Sequence, residues 1–160
     1  MCHLAINPEN KPKLPIAISV HPALLSNKAP IIRELEVAMK SWNLVRPCFT
    51  IVPLAEYNVM PAIEGRTWVN MIHPTGPKLY IGNEPEFYVK WHLKHELGHM
   101  LGFGDHIYKS TDSTYYINPK ICYGNESDVY RGIMSYCWMN NIITDADREM
   151  LIREYPLYAS

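Results

Sequence analysis

The sequence predicts an α+β fold on three observations. Short β-branched apolar runs crowd its first half, a strongly patterned helix lies near its middle, and a long aperiodic stretch is closed by a last helix. Ile16-Ala17-Ile18-Ser19-Val20 reads as the first strand. Pro30 then opens a helix through Trp42, with Ile31, Leu35, Ala38, Met39 and Trp42 on one stripe and proline at the favoured first position. Three more strands are expected at Cys48 to Val52, Thr67 to Ile72 and Lys78 to Ile81, separated by Pro, Gly and Asn. A second helix runs from about Phe87 to Leu101, with Val89, Leu93, Leu97 and Leu101 on its apolar side and Gly102 as its stop. Phe103 to Ile143 shows no periodicity, and structureless loops beyond roughly 12–15 residues are uncommon unless functional. Such a segment is either disordered or braced by something other than regular hydrogen bonding, for which a metal and a disulfide are the obvious candidates. Thr144-Asp145-Ala146-Asp147 then resembles a capping box, with Asp in place of the usual Glu, and starts a helix to about Arg153.

The chain's 160 residues suit one domain, 1–160, with a sheet-and-helix part over 1–102 and an irregular part over 103–160. At this length roughly 68–70% of the unfolded surface can be buried, so no metal or disulfide is needed merely to hold the chain together. The formal net charge is −1 and no run of like charges stands out, which argues against a nucleic-acid partner. No window approaches the roughly 18 unbroken apolar residues of a membrane span. Met1-Cys2-His3-Leu4 lacks the charged and then apolar pattern of a secretory leader, which fits a cytosolic chain or one that starts at its mature end. Four cysteines, Cys2, Cys48, Cys122 and Cys137, allow zero, one or two bridges. None forms a CxxC pair, so a four-thiolate zinc site is not expected. Cys122 and Cys137 bracket a loop-like stretch and make the best candidate pair; the alternative is four buried free thiols.

The chemistry concentrates in His95-Glu96-Leu97-Gly98-His99-Met100-Leu101-Gly102-Phe103-Gly104-Asp105-His106. On a helix, positions 95 and 99 differ by about 40° in direction and one turn in height, so both imidazoles can meet one metal. Glu96 is offset and reaches a metal-bound water rather than the metal. Gly102 lets the chain turn back, and spacing makes Asp105 the third ligand. Two imidazoles and a carboxylate form a usual catalytic zinc shell with one position left for water. Zinc lowers the pKa of that water toward roughly 7, and Glu96 can take its proton as it attacks a carbonyl.

This motif resembles the metzincin zinc peptidases, whose signature HExxHxxGxxH is followed by a methionine turn. Gly132-Ile133-Met134-Ser135-Tyr136 is similar to that turn in serralysins and astacins. The resemblance implies Met134 as the floor beneath the zinc and Tyr136 as a phenol that swings to the transition state. Asp105 where most metzincins have His is similar to the snapalysins, small secreted enzymes whose cysteine pair also brackets the turn region, as Cys122 and Cys137 do. The chain therefore joins a snapalysin-like third ligand to a serralysin-like turn. The resemblance further implies a mostly parallel, twisted sheet of four to five strands with an edge strand at the cleft. It implies a single Zn²⁺, a peptide or protein substrate, a monomer, and secretion. Lys78 to Ile81, just before the active-site helix, takes the place of that edge strand and would pair with substrate main chain; the alternative is an internal strand.

The remaining polar residues read more plainly. His92, one turn before His95, either supports the ligands or is an ordinary partly buried histidine. His3, His21 and His73 have no ligand partner at a recognisable spacing, and Asn125-Glu126-Ser127 fits a glycosylation pattern. The bacterial rRNA-maturation endoribonucleases also end a His-rich helix in Gly-x-Asp-His, but they use a His where this chain has Asp105, and they leave Glu96 without a role. Peptide deformylases share HExxH but need an upstream Gly-Cys ligand, whereas Cys48 follows Pro47. A metal-binding module without turnover would be expected to lack the base, and Glu96 is intact. The expected activity is zinc-dependent endopeptidase cleavage.

Overall fold

The computed structural model describes residues 11–27, 29–63, 65–104, 132–134 and 142–156. Its elements in chain order are β1 Ile16–Val20, α1 Pro22–Asn27, α2 Ala29–Asn43, β2 Phe49–Ile51, β3 Tyr57–Pro61, β4 Trp68–Asn70, β5 Lys78–Ile81, α3 Glu86–Met100 and α4 Asp145–Glu154. The five strands form one sheet in the order β2-β1-β3-β5-β4. All neighbours run parallel except β4, which is antiparallel to β5. The fold is α+β with a mostly parallel sheet, as the sequence leads one to expect.

Side-chain alternation decides which face of the sheet is covered. Val20, Val59, Leu79 and Val69 lie in one cross-strand row. Together with Ile16, Ile18 and Ile81, this face packs against Leu35, Ala38, Met39 and Trp42 of α2 and Val89, Leu93 and Leu97 of α3. The α2 stripe read from the sequence is thus the buried one, with Ile31 partly covered at its edge. The neighbouring row, Ser19, Asn58 and Lys78, is polar and faces the other way. There Asn58 bonds to Ser19 Oγ, and the Lys78 ammonium reaches Asn58 Oδ1, Glu56 O at 3.1 Å and Thr75 O at 3.3 Å. Lys78 is buried, but its three donors are matched by three oxygens, which removes most of the desolvation cost.

Three readings need correction. Lys78–Ile81 is an internal strand, partnered by β3 and β4, and the sheet edge beside α3 is β4. Sequence order misleads here because β4 reverses direction and lies outside the strand that follows it. The central strand β3 is absent from the sequence reading because Asn58 and Pro61 look like loop residues, although Asn58 is satisfied within its cross-strand row. The short helix α1 is likewise additional. Among the described residues no helix is long and apolar enough to cross a membrane.

Candidate metal centre

Helix α3 is buried on most of its circumference: Val89, Trp91, Leu93, Lys94, His95, Glu96, Leu97, Gly98 and Met100 are all covered. A helix of this kind runs through a core rather than over it. Its end is built by Gly102, whose φ of 101° is open to glycine but strained for other residues. Gly102 N–H donates to His99 O at 2.9 Å and Phe103 N–H to Gly98 O at 3.0 Å, the paired bonds of a Schellman stop. That turn brings Phe103 O back over the last turn of the helix, where it accepts from His99 Nδ1 at 2.7 Å. His95 Nδ1 donates in the same way to Ile133 O at 2.9 Å.

These two bonds set the chemistry of the rings. A carbonyl oxygen can only accept, so Nδ1 carries the proton in each imidazole, and in the neutral ring Nε2 then keeps a lone pair. The two Nε2 atoms stand 3.1 Å apart, with the rings edge to face at 88°. Zinc–nitrogen bonds of about 2.0–2.1 Å in a tetrahedral shell would set two such nitrogens roughly 3.3 Å apart, so the donors fit one shared cation. Glu96 is also buried, and one carboxylate oxygen of Glu96 lies with the two imidazole nitrogens inside a span of 4.8 Å. Asp105, His106, Tyr136, Cys122, Cys137, Cys2, His3 and Asn125 lie outside the described residues.

Met134 is within them and wholly buried. It packs on the helix backbone between the two histidines: a Cβ placed on Gly98 would come 2.3 Å from Met134 Sδ and 3.3 Å from Trp42 Cζ2. The sequence reading passed over Gly98, yet a glycine inside a helix, at a cost of about 1 kcal/mol relative to alanine, is itself a signal of close approach. Asp147, read from the sequence only as the acidic residue of a capping box, has a second partner as well. Its carboxylate accepts from Thr144 N at 2.9 Å and Thr144 Oγ at 3.0 Å, closing the capping box of α4. The same carboxylate accepts from Ile133 N at 2.9 and 3.0 Å. Burial pushes the Asp147 carboxyl up to about 6, against the opposing pull of the Thr144 and Ile133 hydrogen bonds.

A cleft of about 640 Å³ opens beside His99, walled by β4 and its turn (Trp68 to Ile72), Tyr57, Pro77 and Gly102 to Gly104. The start of β4 is tied to α3 through Glu84. Glu84 Oε1 accepts from Thr67 N at 2.8 Å, and Glu84 Oε2 pairs with His92 Nδ1 at 2.5 Å. His92 is therefore a partly buried residue that serves the sheet edge. His21 is exposed and His73 half-buried, and each accepts from a backbone N–H two residues on. Cys48 is a buried free thiol, pushed up to about 12 by burial, which leaves at most one bridge among the other three cysteines.

The sequence matches no protein-family model and no curated protein. Solved structures of myroilysin are similar in fold. One superposes with a TM-score of 0.68 at 12% identity, covering 96% of this chain and 99% of that one. A second gives 0.59 at 12% identity, covering 97% and 91%. At this identity the likeness concerns the fold alone, and it extends over nearly the whole of both chains.

Proposed function

We propose that the chain is a zinc-dependent endopeptidase of the metzincin type, with His95, His99 and Asp105 as ligands and Glu96 as general base. The observation that carries this reading is the pair of Nε2 atoms 3.1 Å apart on rings oriented by two backbone carbonyls, with Glu96 beside them. The myroilysin-like fold and the Gly132 to Tyr136 turn sequence support it. Zinc held there would supply Lewis-acid activation of water and of a peptide carbonyl. The protein's own part is then divided among a few groups. Glu96 removes a proton from the attacking water and returns it to the leaving amine. Tyr136 donates a hydrogen bond to the developing oxyanion, a role worth about 2.7–4 kcal/mol in the best-measured comparable case. Met134 fills the space under the histidines with soft, polarizable packing. The edge strand β4 aligns an extended peptide along the cleft by main-chain hydrogen bonds, which suits a substrate recognised first by its backbone. Cys122 and Cys137 pair to tether the segment that carries Asp105.

Metal analysis of purified protein, together with cleavage of a denatured protein, tests this reading. The expected result is one zinc per chain, activity lost on chelation and activity regained on adding zinc. Cleavage that persists without metal would contradict it.

A further inference from the structure

The capping carboxylate of α4 is more deeply committed than helix capping requires. A capping box needs only the N-cap side chain and a side chain three residues on, usually at the surface. Here Asp147 is 1% exposed, and it extends beyond the box to a residue outside the helix. Both carboxylate oxygens accept from the Ile133 N–H, while Oδ2 also serves Thr144 N and Oγ. Ile133 in turn offers its carbonyl to His95 Nδ1 at 2.9 Å. One residue is thus gripped at its N–H by α4 and grips the imidazole of α3 with its C=O. Ile133 itself is fully buried, so water does not compete for either bond.

From this continuous path we infer that Asp147 is a positioning residue for His95, acting through the Ile133 backbone to hold the imidazole in the tautomer and direction that present Nε2 to a metal. The inference rests on the metal-centre reading above. Partners that orient a metal-binding histidine through its second nitrogen typically change metal affinity by about 10–100-fold when altered. Burying a carboxylate is costly, and a network of this kind is maintained only when every member is satisfied. Asp147 meets that condition with four accepted hydrogen bonds to its two oxygens.

The test compares Asp147→Asn with Thr144→Ala in the full chain, measuring zinc affinity by competition with a chromophoric chelator and stability by thermal melting. In Asp147→Asn an amide N–H₂ confronts either the Ile133 or the Thr144 donor. Thr144→Ala weakens the same helix cap but leaves the Ile133 bond in place. Both variants should melt below wild type. Zinc affinity should fall by about 10–100-fold in Asp147→Asn and stay near wild type in Thr144→Ala. Equal affinities for Asp147→Asn and wild type would overturn the inference, as would an equal loss in both variants. A wild-type protein that binds no zinc would overturn the metal-centre reading itself, a distinct result. Should Asp147→Asn not fold, amide exchange in wild type decides. The Ile133 N–H should be as protected in metal-free protein as in zinc-loaded protein, because Asp147 holds it in advance. Protection that arises only on adding zinc would refute the inference.

Discussion

Each imidazole of the site is oriented by a backbone carbonyl, and each carbonyl is delivered by a different piece of chain: Phe103 by the helix stop, Ile133 by the turn before Met134. Backbone acceptors cannot change protonation state, so each carbonyl remains an acceptor whatever the state of the groups around it. Gly98 makes the second of these arrangements possible by leaving room for Met134 Sδ. Replacing a helical glycine with alanine ordinarily stabilises by about 1 kcal/mol. Gly98→Ala should instead destabilise the protein by about 1–3 kcal/mol, because the thioether must move within a packed region. In a Met134→Ala background the added cost of Gly98→Ala should be smaller, read as a double-mutant cycle in urea unfolding. A Gly98→Ala protein as stable as wild type would show that the sulfur is not pressed against the helix. The HExxH spacing was legible because its partners are four residues apart on one helix. Gly98 and the reach of Asp147 to Ile133 were not, since what gives each its meaning lies on another element.

At the scale of elements, α3 and β4 form the two walls of the cleft, and Glu84 joins them. The segment entering β4 also crosses Gly82 so closely that a Cβ there would lie 2.4 Å from Arg66 N, and Gly82 N–H donates to Thr67 Oγ1 at 3.1 Å. Glu84→Ala removes the acceptor for Thr67 N–H and the partner of His92. A cost of about 1–3 kcal/mol in stability is expected from stranding these groups. If β4 aligns the substrate, KM for a peptide should rise while zinc content stays at one per chain. An unchanged KM would separate the Glu84 link from substrate binding. Helices α2, α3 and α4 were readable from their stripes, from Pro30, from Gly102 and from the Thr144–Asp147 box, because capping and amphipathic burial are local properties. The sheet was less so. β3 hides behind Asn58 and Pro61, and the exchange of edge role between Lys78–Ile81 and Trp68–Asn70 is a matter of pairing that no local pattern encodes.

At the scale of the molecule, one hydrophobic cluster among the described residues runs from Ile16 of β1 to Leu151 of α4. The candidate site lies where α3 meets the turn before α4. α3 brings the histidines and Glu96, while the turn before α4 brings Ile133 and Met134. Tyr155, just past α4, closes the arrangement by donating to Leu101 O at 2.5 Å at the end of α3. Trp42 braces the other side, donating to Lys94 O at 2.9 Å and stacking on Phe103 with ring centroids 6.2 Å apart. The histidine pair is thus backed by α2 on one side and by the C-terminal segment on the other. A likeness of fold at 12% identity is possible because many sequences can build the same core. The central claim is that Glu96 acts on water at a metal held by its neighbours, and the most direct test is Glu96→Gln assayed for zinc content and turnover together. One zinc per chain with turnover reduced by about 10²–10⁴-fold is expected. Turnover near the wild-type value in a zinc-loaded Glu96→Gln protein would contradict the account.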